Sequence, residues 1–328
     1  MDLIGPCHAR AVGETSIAWC EIGEGEPVVL LHGVGDSHRT WRKVAPRLAE
    51  RYRVLMPDLP GHGLSGKSDA PYTIGWFAKT MLAWLDEIGV EKAHVVGHSY
   101  GGGVAQWMLL EAGARILRLG LVAPGGFGRD VAIGLRLPTL PLLGPALTPA
   151  FMSYGTRVLM RMALGERAGK EERAELERLV WMNSAPGSGV AFQRTLAGCI
   201  DVFGQTVQTS HRIDEVAALP PTEVYWGERD VVLPVRHAHE AARRLTGATL
   251  RLYPSAGHFP HLDEAEKLAS DLVEFFERPA ERVSRTIPPK VNASRRGRRI
   301  TLGLPSVAAA RRSLEGALRW GGRASSSV

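Results

Sequence analysis

The chain has 328 residues, 45% of them hydrophobic and 23% charged, so it can bury a large core. It has no apolar run of about 18 residues and no basic start followed by an apolar stretch, so we expect neither a membrane span nor a signal peptide. The formal net charge is +6, but residues 279–328 carry eleven Lys and Arg against two Glu, which leaves residues 1–278 at about −3. We therefore expect no broad nucleic-acid-binding surface on the folded part.

The three cysteines, Cys7, Cys20 and Cys199, lie far apart, and none is spaced like a set of metal ligands. Reduced thiols in a cytoplasmic protein fit this pattern better than a disulfide framework does. We expect no metal ion and no organic cofactor.

The first part of the chain alternates short apolar strands with helices. The pattern predicts strands at 27–33, 53–63, 93–99 and 115–124, and helices at 40–52, 74–89 and 100–113. Apolar residues recur at helical spacing before Gly89, which suits the position after a helix end. Strands that are almost wholly apolar and separated by helices predict a parallel sheet covered on both faces.

The alternation stops in the middle of the chain and then resumes. Strands are predicted again at 222–230 and 249–258, with helices at 236–247 and 263–278. We therefore predict a core made of residues 1–126 and 219–278, a helical cap inserted at 127–218, and a basic tail at 279–328. The tail is rich in Ser, Gly and Pro and poor in core residues, so we expect it to be largely disordered.

The segment GHSYG (97–101) places a serine between two glycines at a predicted strand-to-helix junction. It matches Gly-x-Ser-x-Gly, a sharp turn that exposes a serine hydroxyl above a sheet. Gly97 and Gly101 are needed because a side chain at either position would collide at the corner. The helix that follows directs backbone N–H groups toward developing negative charge. We interpret Ser99 as a nucleophile; the alternative is a serine that only forms the turn.

A serine nucleophile requires a base, and the base requires an acid that orients it. Asp230 ends one predicted strand and His258 follows the next, where the carboxyl ends of parallel strands build active sites. Glu228 is the rival acid and His261 is the rival base. We favour His258 because Gly257 suits a loop that presents a side chain.

The loop LLHGVGD (30–36) follows the first long strand. We predict that the backbone N–H groups of Val34 and Tyr100 form an oxyanion hole. We interpret His32 as a residue that stabilises the loop and His98 as structural, because His98 points away from the site if the strand alternates.

The loop at residues 58–69 contains Asp58, His62 and Ser65, which are residue types found in active sites. Its glycines and short polar side chains are also typical of tight turns. We interpret this loop as scaffold.

Five segments together resemble the successive motifs of the α/β-hydrolase superfamily. They are LLHGVGDSHRTW, PDLPGHGLS, VVGHSYGGGVA, WGERDVVLP and AGHFPHLDEAE. The resemblance covers residues 12–277 apart from detailed matching in the cap. It implies an α/β fold with a mostly parallel eight-stranded sheet, helices on both faces, and a cap over Ser99, Asp230 and His258. The chain is similar to bacterial esterases and carbon–carbon bond hydrolases of this superfamily.

Some positions depart from subgroups of the superfamily. Haloalkane dehalogenases and epoxide hydrolases use an aspartate nucleophile, and Ser99 argues against both. Hydrolases of meta-cleavage products usually have a Met directly after the nucleophilic serine and a Trp directly after the catalytic His. This chain has Tyr100 and Phe259 at those two positions. Proline iminopeptidases usually carry Trp after the nucleophile, and Tyr100 departs from that pattern as well.

The leading hypothesis is a serine hydrolase that cleaves a small-molecule carboxylic ester with a hydrophobic acyl or aromatic group. Candidate substrate-binding residues are Gly33, Phe127, Leu140 and Phe259. The apolar side chains among them are equally expected as simple core residues. The alternatives are hydrolysis of a C–C bond in a vinylogous diketone, cofactor-free haloperoxidase-like activity, and a non-enzymatic binding module on the same fold. The oligomeric state stays open.

The basic tail raises a separate hypothesis of weak contact with anionic membranes, since each basic residue near such a surface contributes about 1 kcal/mol. A solvated extension is the favoured interpretation. We expect the full chain and a chain ending at Arg278 to co-sediment equally with anionic lipid vesicles. Stronger sedimentation of the full chain would support membrane contact through the tail.

Overall fold

An eight-stranded sheet forms the centre of the computed structural model, which describes residues 5–140, 143–150, 152, 169–209, 212–279 and 281–284. The strands are β1 (Cys7–Val12), β2 (Thr15–Ile22), β3 (Glu26–Leu31), β4 (Tyr52–Pro57), β5 (Ala93–His98), β6 (Ile116–Val122), β7 (Ile200–Asp201), β8 (Gly204–Gln205), β9 (Ala218–Leu219), β10 (Thr222–Gly227), β11 (Thr249–Tyr253) and β12 (Val283–Ser284). The large sheet has the order β1-β2-β4-β3-β5-β6-β10-β11. Only the pairs of β2 with β1 and with β4 are antiparallel, so the predicted mostly parallel eight-stranded sheet is confirmed.

The helices follow the strands in the predicted alternation. They are α1 (Ala45–Leu48), α2 (Ile74–Glu87), α3 (Tyr100–Ala112), α4 (Leu143–Ala150), α5 (Lys170–Asn183), α6 (Ser188–Ala197), α7 (Arg236–Arg244), α8 (Pro260–Asp263) and α9 (Ala265–Glu277). The single helix predicted at 40–52 is wrong, because the structure has a 3₁₀ turn at His38–Trp41 followed by the short α1. Pro46 lies in the first turn of α1, where its missing N–H is tolerated, but it would interrupt a helix that began earlier.

Both faces of the central strands of the sheet are buried. In β3, Val29 and Leu31 pack into a core shared with α2 and α3, whereas Val28 and Leu30 pack into a second core with α1 and α9. Successive side chains of a strand point to opposite faces, so a strand buried on both is largely apolar. This explains why the strand sequences lack polar alternation.

The N-terminal hairpin was not predicted. β1 and β2 pair antiparallel around a tight turn in which Gly13 has a φ of 57°. Their register places Cys7 directly opposite Cys20, and the two form a disulfide. The expectation of reduced thiols is therefore wrong for this pair, because strand pairing brings together cysteines that are distant in sequence. Cys199 is a free thiol.

The segment between β6 and β10 contributes α4, α5, α6 and the small β7–β8 hairpin. It packs onto loops at the carboxyl ends of the sheet strands. The Asn183 Nδ2 amide donates to the Gly35 carbonyl at 2.6 Å, and a Cβ on Gly35 would lie 3.0 Å from the Phe192 ring. In its described part, this segment contributes three α-helices.

The described chain ends in a short strand. β12 pairs antiparallel with β9, and the Arg282 guanidinium donates to the Gly113 carbonyl at 2.9 Å. Placing residues 281–284 in a disordered tail was therefore wrong; residues 280 and 285–328 lie outside the described residues. Within the described ranges, no helix combines the length and apolarity that a membrane crossing requires.

The end of β10 touches the loop after β11. A Cβ on Gly227 would lie 2.1 Å from the Gly257 carbonyl oxygen and 2.4 Å from that of Ala256. These are backbone atoms that cannot rotate away, so only glycine lets the strand end approach the loop this closely.

We expect Gly227→Ala to lower the free energy of unfolding by about 1–3 kcal/mol, because the new methyl must displace that loop. Urea denaturation followed by circular dichroism measures the change. Gly134→Ala is the matched control, since a Cβ on Gly134 would meet nothing within 4 Å. Equal stability of the two variants would contradict the tight contact at Gly227.

Candidate active site

The turn at Ser99 joins β5 to α3 through an unusual backbone conformation. Ser99 has a φ of 51° and a ψ of −115°, which side-chain-bearing residues rarely adopt. A Cβ on Gly97 would lie 2.4 Å from the Gly101 carbonyl oxygen, and one on Gly101 would lie 2.4 Å from the His32 carbonyl oxygen. The expected need for glycine at both positions is thus confirmed. The partly exposed Ser99 projects from this corner.

Ser99, His258 and Asp230 form one hydrogen-bonded chain. The His258 Nε2 atom lies 3.0 Å from the Ser99 Oγ atom, and His258 Nδ1 lies 2.7 Å from Asp230 Oδ2. The imidazole and the carboxylate are both buried. If Nδ1–H donates to the carboxylate, Nε2 presents a lone pair to the serine hydroxyl, which is the arrangement that general-base activation requires.

Backbone groups hold the Asp230 carboxylate. Its Oδ1 atom accepts hydrogen bonds from the N–H groups of Val232 at 2.7 Å and Leu233 at 2.8 Å. These donors fix the orientation of the carboxylate and leave Oδ2 for His258. The rival acid, Glu228, is exposed.

Two further histidines lie against His258. His98 Nε2 is 2.9 Å from the His258 carbonyl oxygen. Burial lowers the pKa of His98 well below its ordinary value, with His261 and His258 adding to the effect, so the neutral ring donates from Nε2. The rival base, His261, places its Nε2 atom 2.8 Å from Thr40 Oγ1 rather than at the serine. The sequence led us to interpret His98 as structural. The hydrogen bond of His98 to the His258 carbonyl positions the backbone of His258, whose ring faces Ser99.

The loop after β3 lies beside the serine. A Cβ on Gly33 would be 3.4 Å from Ser99 Cβ, so the backbone next to Val34 approaches the nucleophile closely. Tyr100 is the first residue of α3, where an N–H group has no acceptor within the helix. Both candidate oxyanion donors therefore belong to segments that adjoin Ser99.

His32 links two loops, as predicted for a stabilising residue. Its Nδ1 atom lies 2.7 Å from the Gly33 carbonyl oxygen, and its Nε2 atom accepts the Leu59 N–H at 2.8 Å. Burial lowers its pKa, which keeps Nε2 available as an acceptor.

The other candidate substrate residues differ in exposure. Phe127 is buried in the core with α2 and α3, and Leu140 is half-buried. The Phe259 ring packs against the rings of His98 and His258. Phe259 therefore contacts a member of the Ser–His–Asp chain.

Sequence reasoning missed a glutamine that holds the loop after β6. The Gly125 N–H donates to the Ser99 carbonyl at 3.0 Å, and the next N–H, that of Gly126, donates to Gln205 Oε1 at 2.9 Å. Gln205 lies in the short β8, about 80 residues along the chain from that loop. No local motif marks it, so only the folded chain reveals this contact.

Comparisons with known proteins show which family the chain resembles in sequence and fold. Residues 26–265 match the alpha/beta hydrolase fold family. An uncharacterized protein of Mycobacterium tuberculosis is 36% identical over 262 residues, covering 77% of this chain and 76% of that protein. A 2-hydroxy-6-oxo-6-phenylhexa-2,4-dienoate hydrolase of Burkholderia cepacia is 28% identical over 274 residues, covering 77% of this chain and 89% of that protein. The solved structure of an N-acyl homoserine lactone degrading enzyme has a TM-score of 0.67 and 26% identity, covering 82% of this chain and 100% of that one.

A parallel sheet with a serine elbow at its centre defines the class of α/β hydrolases. This chain belongs to the alpha/beta hydrolase fold family, as the match over residues 26–265 shows. At the level of reaction class it is a hydrolase.

The loop at residues 58–69 serves as scaffold. The Asp58 carboxylate accepts the backbone N–H groups of His38 at 2.6 Å and Leu64 at 2.7 Å. His62 Nδ1 lies 2.9 Å from the Pro60 carbonyl oxygen. Burial, with a smaller contribution from His32, lowers the pKa of His62 to about 3.

A histidine whose pKa is lower in the folded state than in the unfolded state destabilises the fold as pH falls. For His62 the loss begins near pH 6.5 and continues toward pH 3, because only the unfolded chain binds the proton in that window. We expect His62→Asn, which keeps a donor for Pro60, to remove about 2 kcal/mol of the stability difference between about pH 7.5 and pH 5. Urea denaturation at both pH values measures it, and His8→Asn at an exposed position is the control. An unchanged pH dependence in His62→Asn would contradict burial of a neutral ring.

Proposed function

We propose that this protein is a serine hydrolase that cleaves carboxylic esters bearing a hydrophobic acyl or aromatic group. The observation that supports the proposal most directly is the chain from Asp230 through His258 to Ser99, with distances of 2.7 and 3.0 Å. A serine hydroxyl becomes a useful nucleophile when a neutral imidazole accepts its proton during attack.

In the first half of the reaction, Ser99 Oγ attacks the acyl carbon while His258 Nε2 takes the hydroxyl proton. The Val34 and Tyr100 N–H groups donate to the oxyanion of the tetrahedral intermediate. Asp230 stabilises the imidazolium, and its own two backbone donors hold the carboxylate in place. The imidazolium then protonates the leaving alcohol, and the acyl group stays on Ser99.

In the second half, water enters and His258 takes a proton from it. The resulting hydroxide attacks the acyl carbon, the oxyanion forms again, and collapse of the intermediate returns the proton to Ser99 and releases the acid. The only co-reactant is water, and all proton transfers use one imidazole.

We propose that the segment between β6 and β10 acts as a cap and supplies the apolar surface for the substrate. The end of α5 contacts the loop after β3, where the Asn183 side chain donates a hydrogen bond to the Gly35 carbonyl. Leu64 and Trp181, both exposed, line an open groove beside this contact together with Met182. Apolar side chains exposed in a groove are more typical of ligand or partner contact than of a solvated surface.

The second candidate is hydrolysis of a C–C bond in a vinylogous diketone. The 28% identity to the Burkholderia cepacia hydrolase of a phenylhexadienoate favours it. Tyr100 and Phe259 depart from the residues usual at those two positions in that group. The structural similarity to an enzyme that degrades N-acyl homoserine lactones favours an ester, because a lactone is a cyclic ester.

We expect Ser99→Ala to lower kcat for p-nitrophenyl acyl esters by about 10⁴-fold or more, because the nucleophile is lost. Asp230→Asn should lower it to a comparable extent while leaving the serine in place. Ser255→Ala, at an exposed position, is the matched control and should retain activity. Undiminished hydrolysis by Ser99→Ala, or none by the wild type, would overturn the esterase proposal.

Assays of the purified wild-type protein also distinguish ester hydrolysis from C–C bond hydrolysis. We expect kcat/KM for esters of graded acyl length to exceed that for a phenyl-substituted vinylogous diketone. A higher value for the diketone, lost in Ser99→Ala, would favour C–C bond hydrolysis by the same residues.

A further inference from the structure

A second cluster of reactive side chains lies outside the Ser–His–Asp chain. The two Sγ atoms of Cys7 and Cys20 and a ring nitrogen of His38 all lie within 4.8 Å of one another. Cys20 and His38 are buried, and Cys7 is half-buried at the edge of the sheet. Thiolate and imidazole are the ligands that zinc prefers.

The fold assembles the cluster from three separate segments. Cys7 on β1 faces Cys20 on β2, and Cys20 in turn pairs with Met56 on β4. Two residues after Met56, the Asp58 carboxylate accepts the backbone N–H of His38 at 2.6 Å. The sheet register therefore brings the imidazole to the cysteine pair.

The two nitrogens of His38 have different surroundings. Nδ1 lies 3.0 Å from Asp58 Oδ1, which orients the ring and holds the proton on Nδ1. Nε2 is buried and has no hydrogen-bond partner among the described residues. A buried nitrogen without a partner is unfavourable unless something binds it. A carboxylate on one nitrogen and a free lone pair on the other is the arrangement of histidines that bind zinc.

We propose that Cys7, Cys20 and His38 bind one divalent cation that prefers thiolate ligands, such as Zn²⁺, when the two cysteines are reduced. Both thiols release a proton on binding, two Zn–S bonds form, and the His38 Nε2 lone pair completes a third bond, with water as the fourth ligand. Two thiolates balance the double positive charge, so the buried complex is neutral. The disulfide and the complex exclude each other, since the disulfide consumes both thiolates.

A dithiol reductant converts one state into the other. It reduces the Cys7–Cys20 bond by thiol–disulfide exchange, is itself oxidised to a cyclic disulfide, and leaves two protein thiols. The half-buried Cys7 is the sulfur that the reductant reaches.

Anaerobic titration of the reduced, untagged full-length chain tests the proposal. Zn²⁺ binding is measured with a competing chromophoric chelator, and Co²⁺ is used in parallel because thiolate ligation gives charge-transfer absorption in the near ultraviolet. We expect one equivalent of either ion in the reduced chain and none in the oxidised chain. Cys7→Ser, Cys20→Ser and His38→Gln should each weaken binding by more than about 100-fold, since loss of an outer-shell partner alone costs about 10–100-fold.

Cys199→Ser is the matched control, because it removes the third thiol and leaves the cluster intact. It should bind Zn²⁺ as the wild type does. Reduced wild type that binds no more Zn²⁺ than Cys7→Ser would overturn the proposal, as would full binding by His38→Gln. If Cys20→Ser or His38→Gln prevents folding because the residue is buried, Cys7→Ser still tests the site, since Cys7 lies half-buried at the edge of the sheet. Zinc binding is read without any ester substrate, so this result is independent of the proposed hydrolase activity.

Discussion

The backbone of Ser99 is the constraint on which the rest of the site depends. Its N–H donates to the Val122 carbonyl at 3.0 Å, and its carbonyl accepts from Gly103 and Gly125. These bonds connect the turn to β6 and to α3. Hydrogen bonds to Val122, Gly103 and Gly125 therefore maintain the positive φ of Ser99. Because the strain is compensated by packing and hydrogen bonds, the side chain can stand above the sheet edge in one orientation.

The parallel arrangement of β5, β10 and β11 then decides what meets that side chain. Parallel strands end at one edge, so the loops carrying Asp230 and His258 converge on Ser99 although 131 and 159 residues separate them from it. Around this point the fold keeps several imidazoles neutral by burial, among them His98 and His261. A neutral ring can donate from one nitrogen and accept at the other, which lets histidines brace the site without adding positive charge beside His258.

Much of the fold was predictable because strands buried on both faces are largely apolar, and that pattern can be read locally. The glycines of the elbow were predictable for a similar reason, since close approach excludes a Cβ. The predicted helix at 40–52 failed where Pro46 divides it into two short turns. The N-terminal hairpin and its disulfide were missed because pairing between β1 and β2 depends on register, which cysteine spacing does not encode.

The linear order of residues alone determined the fold class and the glycine-flanked serine turn. It also led us to favour Asp230 by its position at a strand end and His258 by the glycine that precedes it. Tertiary structure decided which groups surround them: the backbone donors on Asp230, the His98 contact that positions His258, and the Gln205 amide that holds the loop beside Ser99. It also decided that His38 lies beside two cysteines. The physical reason is the range of the interactions. Burial patterns and steric exclusion repeat over a few residues, whereas hydrogen bonds between loops exist only after distant strands have found their register.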